Sequence, residues 1–224
     1  MNRTADVVIV GAGVIGSATA FELAKRGYKT LNIDKLPASG YGSTSNSCAI
    51  VRAHYSTWDG VAMAYEGFFY WDDWNKYLEV EDERGMAKYM KTGSIMFMLK
   101  GADHSKKSLN LFKEIGIEHE IWDLETLKKK MPIYSHDSYN GTSRPDEDDS
   151  FFDKSGDQIE GAVWTPGSGY VSDPQLATHN LQVATEAKGG EFLFDAEITE
   201  IRQSNGQIQG VTLKSGEQID CKVL

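Results

Sequence analysis

The sequence predicts an α/β chain, α+β overall, built on a parallel sheet. Three stretches predict it. Residues 6–34, DVVIVGAGVIGSATAFELAKRGYKTLNID, read strand, glycine turn, helix, strand. Residues from about 85 to 164 alternate strand-like and helical runs as a layer of their own. Residues 192–224 hold short β-type runs parted by Ser204-Asn205-Gly206 and Ser215-Gly216, which supply turn chemistry.

The first stretch is a complete β-α-β unit. Val7 to Val10 is a continuous apolar run, as a strand buried on both faces requires. Gly11, Gly13 and Gly16 follow in G-x-G-x-x-G spacing. Gly11 allows the tight turn, Gly13 lets the backbone approach a pyrophosphate, and Gly16 lets the helix pack close to the sheet. Val14, Ile15 and Gly16 open the helix, whose free N–H groups and positive dipole end suit phosphates. Ala20, Leu23 and Ala24 continue it to a stop at Gly27. Thr30 to Ile33 is the second strand, closing on Asp34 and Lys35. A carboxylate at Asp34 accepts hydrogen bonds from ribose hydroxyls and repels a 2′-phosphate, which disfavours NADP. The unit predicts a dinucleotide site.

Residues 39–47, SGYGSTSNS, form a Gly/Ser/Asn-rich loop where a nicotinamide domain of the dehydrogenase type would soon supply more β-α units. CAIVRAHY then puts Arg52 just beyond a short apolar run, and helical spacing resumes over Ala62–Tyr77. In the middle layer, Tyr89–Leu99 has strand character. Lys106–Ile115 has helical spacing, and Trp122–Met131 reads as a short helix ending before Pro132. Ser135–Gly156 is polar and holds the acidic run Asp146 to Asp149. No register fits a calcium loop, so it reads as a solvated surface loop or an insertion. Asp173 before Pro174 predicts a helix N-cap with Pro at the first position, and the helix runs to Gly189-Gly190. Strands follow at Phe192–Phe194, Ile198–Ile201, Gln209–Leu213 and Gln218–Leu224.

Composition bounds the function. Lys plus Arg is 23 against 33 Asp plus Glu, a formal charge of −10, which argues against nucleic-acid partners and anionic membranes. A hydrophobic fraction of 40% fits a folded chain. No apolar run approaches the roughly 18 residues that span a bilayer, and no presequence is evident, so the expected location is cytoplasmic. Cys48 and Cys221 are expected to be small buried thiols. The five His show no metal-ligand spacing, and no metal site is expected.

The chain resembles the N-terminal part of the D-amino-acid oxidase family of flavoproteins, nearest to its sarcosine oxidase and dimethylglycine dehydrogenase branches. Four stretches carry the resemblance: residues 7–34, GSTSNSCAIVRAHY (42–55), KTGSIMFM (91–98) and GYVSDPQLATHNL (169–181). It implies a Rossmann-like FAD-binding domain with a parallel sheet plus part of an antiparallel-sheet substrate domain. The implied boundaries are residues 1–84 and 165–224 for the first and 85–164 for the second, a sheet roofing the flavin. It implies FAD as cofactor, with Ser43, Thr44 and Ser45 contacting it and Ile198 lying on a strand whose backbone meets adenine. Arg52 matches a position that pairs with the substrate carboxylate, which suits the bidentate fork of Arg. A structural ion pair with one of the many acids is the plainer role for that residue. Ser45, Asn46 and Ser47 stand where some relatives attach flavin to a His, and Ala49 stands where monomeric sarcosine oxidases carry a basic residue.

Members of the family continue beyond a strand such as Cys221–Leu224 for about as long again, so the chain is expected to be a fragment. The expected function is FAD-dependent oxidation of the C–N bond of a small amine or N-methyl amino acid. The alternatives are a truncated, non-catalytic dinucleotide-binding module or subunit that docks with a partner chain, and an NAD-linked dehydrogenase.

Overall fold

The computed structural model describes residues 3–101, 104–140 and 144–224. In chain order the elements are β1 (Arg3–Thr4), β2 (Val7–Val10), α1 (Val14–Lys25), β3 (Thr30–Ile33), β4 (Ile50–Val51), α2 (Trp58–Asp72) and α3 (Trp74–Leu78). Then come β5 (Tyr89–Met90), β6 (Ser94–Met98), α4 (His104–Ile115), β7 (Glu120–Asp123), α5 (Leu124–Lys130), β8 (Asp137–Tyr139) and β9 (Lys154–Gln158). The last are β10 (Gly161–Thr165), β11 (Gly169–Val171), α6 (Pro174–Ala187), β12 (Glu191–Leu193), β13 (Ile198–Ser204), β14 (Gln207–Leu213) and β15 (Gln218–Asp220).

These elements fall into two compact units. Unit 1 comprises Met1–Ile50, Tyr70–Met90 and Tyr170–Leu224; unit 2 comprises Val51–Phe69 and Lys91–Gly169.

Unit 1 carries a parallel sheet in the order β12-β3-β2, with Val7 opposite Thr30 and Leu31 opposite Glu191. Val223 makes a further parallel bridge to Val7. The tail and β1 form a second sheet, β1-β15-β14-β13, whose β13–β14 turn uses Asn205 and Gly206 at φ 50° and 74°. Val8, Leu31 and Ile33 of the first sheet share one buried core with Val211, Leu213, Ile219 and Cys221 of the tail. Burial of such side chains stabilises the fold by about 1.5–3 kcal/mol each. α1 and α6 pack together, α1 burying Ser17, Ala20, Phe21 and Ala24. α6 begins as the sequence predicts: Asp173 accepts the Leu176 N–H at 2.9 Å and Pro174 opens the helix.

Unit 2 is built on an antiparallel sheet, β6-β10-β7, in which Thr165 pairs with Ser94 and Val163 with Met96. Phe112 and Ile117 meet Ala53, Val61, Phe68 and Val163 in its core. Trp122 and Trp164 stack at 5.2 Å in a second cluster with Leu127 and Ile159.

Several expectations are corrected. Trp122 lies in β7, not in a helix: Ala162 of β10 pairs with it, and the helix starts only at Leu124, where Asp123 accepts the Thr126 N–H at 2.8 Å. The helix expected over Ala62–Tyr77 breaks at Asp73 into α2 and α3. The polar stretch Ser135–Gly156 is not simply a loop: β8 pairs antiparallel with β9, held by backbone bonds that carry no hydrophobic signal. Its residues 141–143 lie outside the described residues. Val10 is 62% exposed, so β2 is not buried on both faces at its end. Cys48 is exposed, while Cys221 is buried and its thiol is pushed up by that burial.

Candidate functional site

The glycine turn of unit 1 behaves as its spacing requires. Gly11 has φ 105°, a backbone conformation open to glycine and strained for other residues. A Cβ on Gly16 would sit 2.2 Å from the Gly11 carbonyl oxygen, so helix and turn approach too closely for any side chain. Gly13 is the N-cap of α1 in extended conformation, with no side-chain cap of its own and no acid in the first turn. The positive end of the helix is therefore not neutralised from within. A Cβ on Gly13 would come within 3.2 Å of Thr44 Oγ1.

Thr44 is brought to this helix end by the loop after β3. Gly40 N–H donates to Ala12 O at 2.8 Å, and Ser45 N–H donates to Gly40 O at 2.8 Å. Thr44 Oγ1 then accepts the Val14 N–H at 3.1 Å. Ser45 uses its hydroxyl inside the loop, donating to Gly42 O at 3.0 Å; Ser43 is exposed. Beside the turn, Ile15 is 81% exposed, an apolar side chain at the edge of a polar cradle.

Asp34 closes the cradle. Its Oδ2 accepts the Ala12 N–H at 2.7 Å and its Oδ1 the Leu36 N–H at 2.9 Å. Each carboxylate oxygen keeps a further lone pair for a hydroxyl donor. Lys35 is exposed next to it. The chain leaving β12 runs alongside: Ala196 N–H donates to Asp34 O at 3.0 Å. Ile198, two residues on, packs its side chain partly into the unit 1 core. Gly11, Gly13, Val14, Gly16, Asp34 and Thr44 are thus gathered at one end of β2 and β3.

Arg52 belongs to unit 2. It is exposed, and no described acid forms an ion pair with it. Its neighbours Ala53 and His54 are buried, while Tyr55 turns out again. The sequence reading missed what holds this segment. His54 Nε2 lies 2.8 Å from Thr165 Oγ1, and the hydroxyls of Ser94 and Ser168 reach the same Thr165 oxygen at 3.0 and 3.2 Å. Burial, aided by the positive charges of Arg52 and His104, depresses the His54 pKa to about 4. Ser108 Oγ donates to Tyr55 O at 3.0 Å. A His beside an apolar run was the only sequence signal for this network.

The sequence profile of the DAO family, FAD dependent oxidoreductase, matches residues 6–224. The chain belongs to that family, whose cofactor is FAD. It is 26% identical to a monomeric sarcosine oxidase of Streptomyces avermitilis, over 89% of this chain and 45% of that protein. It is also 26% identical to a D-amino acid dehydrogenase of Rhodopseudomonas palustris, over 94% of this chain and 56% of that protein. Its fold resembles an L-proline dehydrogenase from P. horikoshii with TM-score 0.77 at 21% identity, covering 100% of this chain and 52% of that one. The chain spans about half the length of the curated relatives it matches.

The groups present fit the ADP half of FAD. A helix end with no acid in its first turn, the Gly13 cradle that a Cβ would fill, and a carboxylate with spare acceptor capacity are the donor and acceptor set that a pyrophosphate and a ribose need.

Proposed function

We propose that the chain forms the FAD-holding part of an oxidoreductase that oxidises the C–N bond of a small amine or N-methyl amino acid. The observation that carries this reading is the N-terminus of α1, opened by Gly13, with no acid in its first turn and with Asp34 beside it. Backbone N–H groups of Gly13, Ile15 and Gly16, and that of Val14, which Thr44 Oγ1 shares, would hold the pyrophosphate, and Asp34 the ribose, with Lys35 beside it. Ser43, Thr44 and Ser45 would line the cofactor's path, and the Ile198 backbone would meet adenine. When bound, FAD supplies the acceptor for the hydride equivalent lost by the substrate carbon. Arg52 would orient the substrate by pairing with its carboxylate. In this reading residues 1–84 and 165–224 form the cofactor domain, which also supplies Arg52, and residues 85–164 are part of the substrate domain. No helix among the described residues is long and apolar enough to cross a membrane, and the acidic charge balance fits a cytoplasmic enzyme of small molecules.

The test is an absorption spectrum of the purified chain after incubation with excess FAD and desalting. A retained flavin band supports the reading. A colourless, cooperatively melting protein that still binds ADP would favour the second reading, a non-catalytic nucleotide-binding module.

A further inference from the structure

Asn32 stands in β3 between Leu31 and Ile33, and its side chain is fully buried. A buried amide is costly unless bonded. Its Nδ2 donates to Gly11 O at 3.2 Å, while its Oδ1 has no partner. The opposite amide orientation would set two oxygens against each other, so the donor faces Gly11. Asp34, two residues further along and on the same face of the strand, takes the Ala12 N–H at 2.7 Å. Gly11 O and Ala12 N–H belong to one planar peptide group. Asn32 in β3 and Asp34 just past its end therefore grip that peptide at both polar ends.

We propose that Asn32 is a positioning residue of the nucleotide site, clamping the Gly11–Ala12 peptide together with Asp34 and so setting the glycine turn that receives a pyrophosphate. The inference rests on the reading of that turn as the FAD site. Asn32 meets no ligand itself, because it is buried behind the turn; it acts through Gly11. An apolar residue at this place would avoid the unpartnered Oδ1 but could not hold the Gly11 carbonyl. The peptide would then be held only by its N–H, and could rotate about the bonds of Gly11, the freest residue in the turn.

The test uses the full chain and ADP as probe, with Asn32→Val, Asn32→Leu and Asp34→Ala beside the unmodified protein. Calorimetric titration gives the ADP affinity. Amide hydrogen exchange gives the protection of the Ala12 N–H relative to the β2–β3 ladder. We expect Asn32→Val to weaken ADP about tenfold, the scale of one lost hydrogen bond. Ala12 protection should fall while the ladder amides and the melting temperature hold. Should Asn32→Val not fold, Asn32→Leu, closer in volume, carries the same readouts. Unchanged ADP affinity, or a uniform loss of protection across the ladder, overturns the clamp. If Asp34→Ala loses ADP while both Asn32 variants keep it, the clamp fails and the site reading stands. An unmodified chain that binds neither ADP nor FAD defeats the site reading and the ligand half of the clamp with it.

Discussion

His54 and Thr165 meet at 2.8 Å, joining the segment after β4 to the end of β10 inside unit 2. Thr165 is fully buried, as is Ser168. Thr165→Val would strip the shared oxygen from three side chains at once. We expect it to cost about 1–3 kcal/mol, the penalty of buried polar groups left unpaired. Urea denaturation of the two proteins side by side measures this, and an unchanged midpoint would refute it.

The same histidine predicts a pH dependence. Its folded pKa is lowered from 6.5 to about 4 by burial, with Arg52 and His104 adding to it. Between those values the unfolded chain binds the extra proton, so stability falls as pH drops from about 6.5 towards 4 and is fully present above that window. His54→Gln should flatten this part of the profile. Denaturation midpoints at several pH values across the window check the slope; equal slopes for the two proteins would contradict the assignment.

Asp82 is the hub of a knot in unit 1. It accepts from His179 Nδ1 at 2.6 Å, Asn180 Nδ2 at 2.8 Å and the Arg84 N–H at 2.9 Å. Burial works against its charge, yet the bonds from the Arg84 N–H and from His179 and Asn180 outweigh it and hold the carboxyl below its usual value. Because the folded value is depressed, its contribution is present above the ordinary carboxylate range and is lost as pH falls through the folded value. Asp82→Ala should cost about 1–3 kcal/mol near neutrality and less in acid. Chemical denaturation at pH 7 and in acid tests this, and a cost that does not shrink in acid counts against it.

Two glycines should fail differently. Gly16→Ala drives a Cβ onto the Gly11 carbonyl, a backbone atom that cannot step aside. A stability loss of about 1–3 kcal/mol is expected, as for other overpacked sites. Gly13→Ala meets only the end of the Thr44 side chain, so the fold should tolerate it while nucleotide affinity falls. Melting curves read beside ADP titrations separate the two; a Gly13→Ala protein with intact affinity would remove Gly13 from the cradle.

Arg52→Ala tests the substrate side. In a flavin-loaded, active form, the apparent affinity for carboxylate substrates should fall about tenfold or more, with a carboxylate-free amine handled as before. Steady-state kinetics with matched substrates decides it, and equal losses for both would assign Arg52 another task.

The nucleotide unit was legible in the sequence because its signals are local. A run of Val and Ile makes a strand, three glycines make a turn, and an acid ends the next strand. Each works through neighbours a few residues away, and Asp173-Pro174 capped α6 for the same reason. The misreadings came where pairing was remote. Trp122 joined a strand because β10, far along the chain, offered its backbone. β8 and β9 paired through backbone bonds between polar residues, which leave no apolar pattern.

By itself, then, the sequence determined the β-α-β unit, the glycine turn and Asp34, since these depend on backbone sterics and short-range periodicity. Only the tertiary structure decided that Thr44 caps α1, that Asn32 and Asp34 hold one peptide between them, and that His54 is tied to Thr165. Those contacts join residues brought together only when strands pair and loops dock, and hydrogen bonds of that kind leave no periodic trace in a sequence.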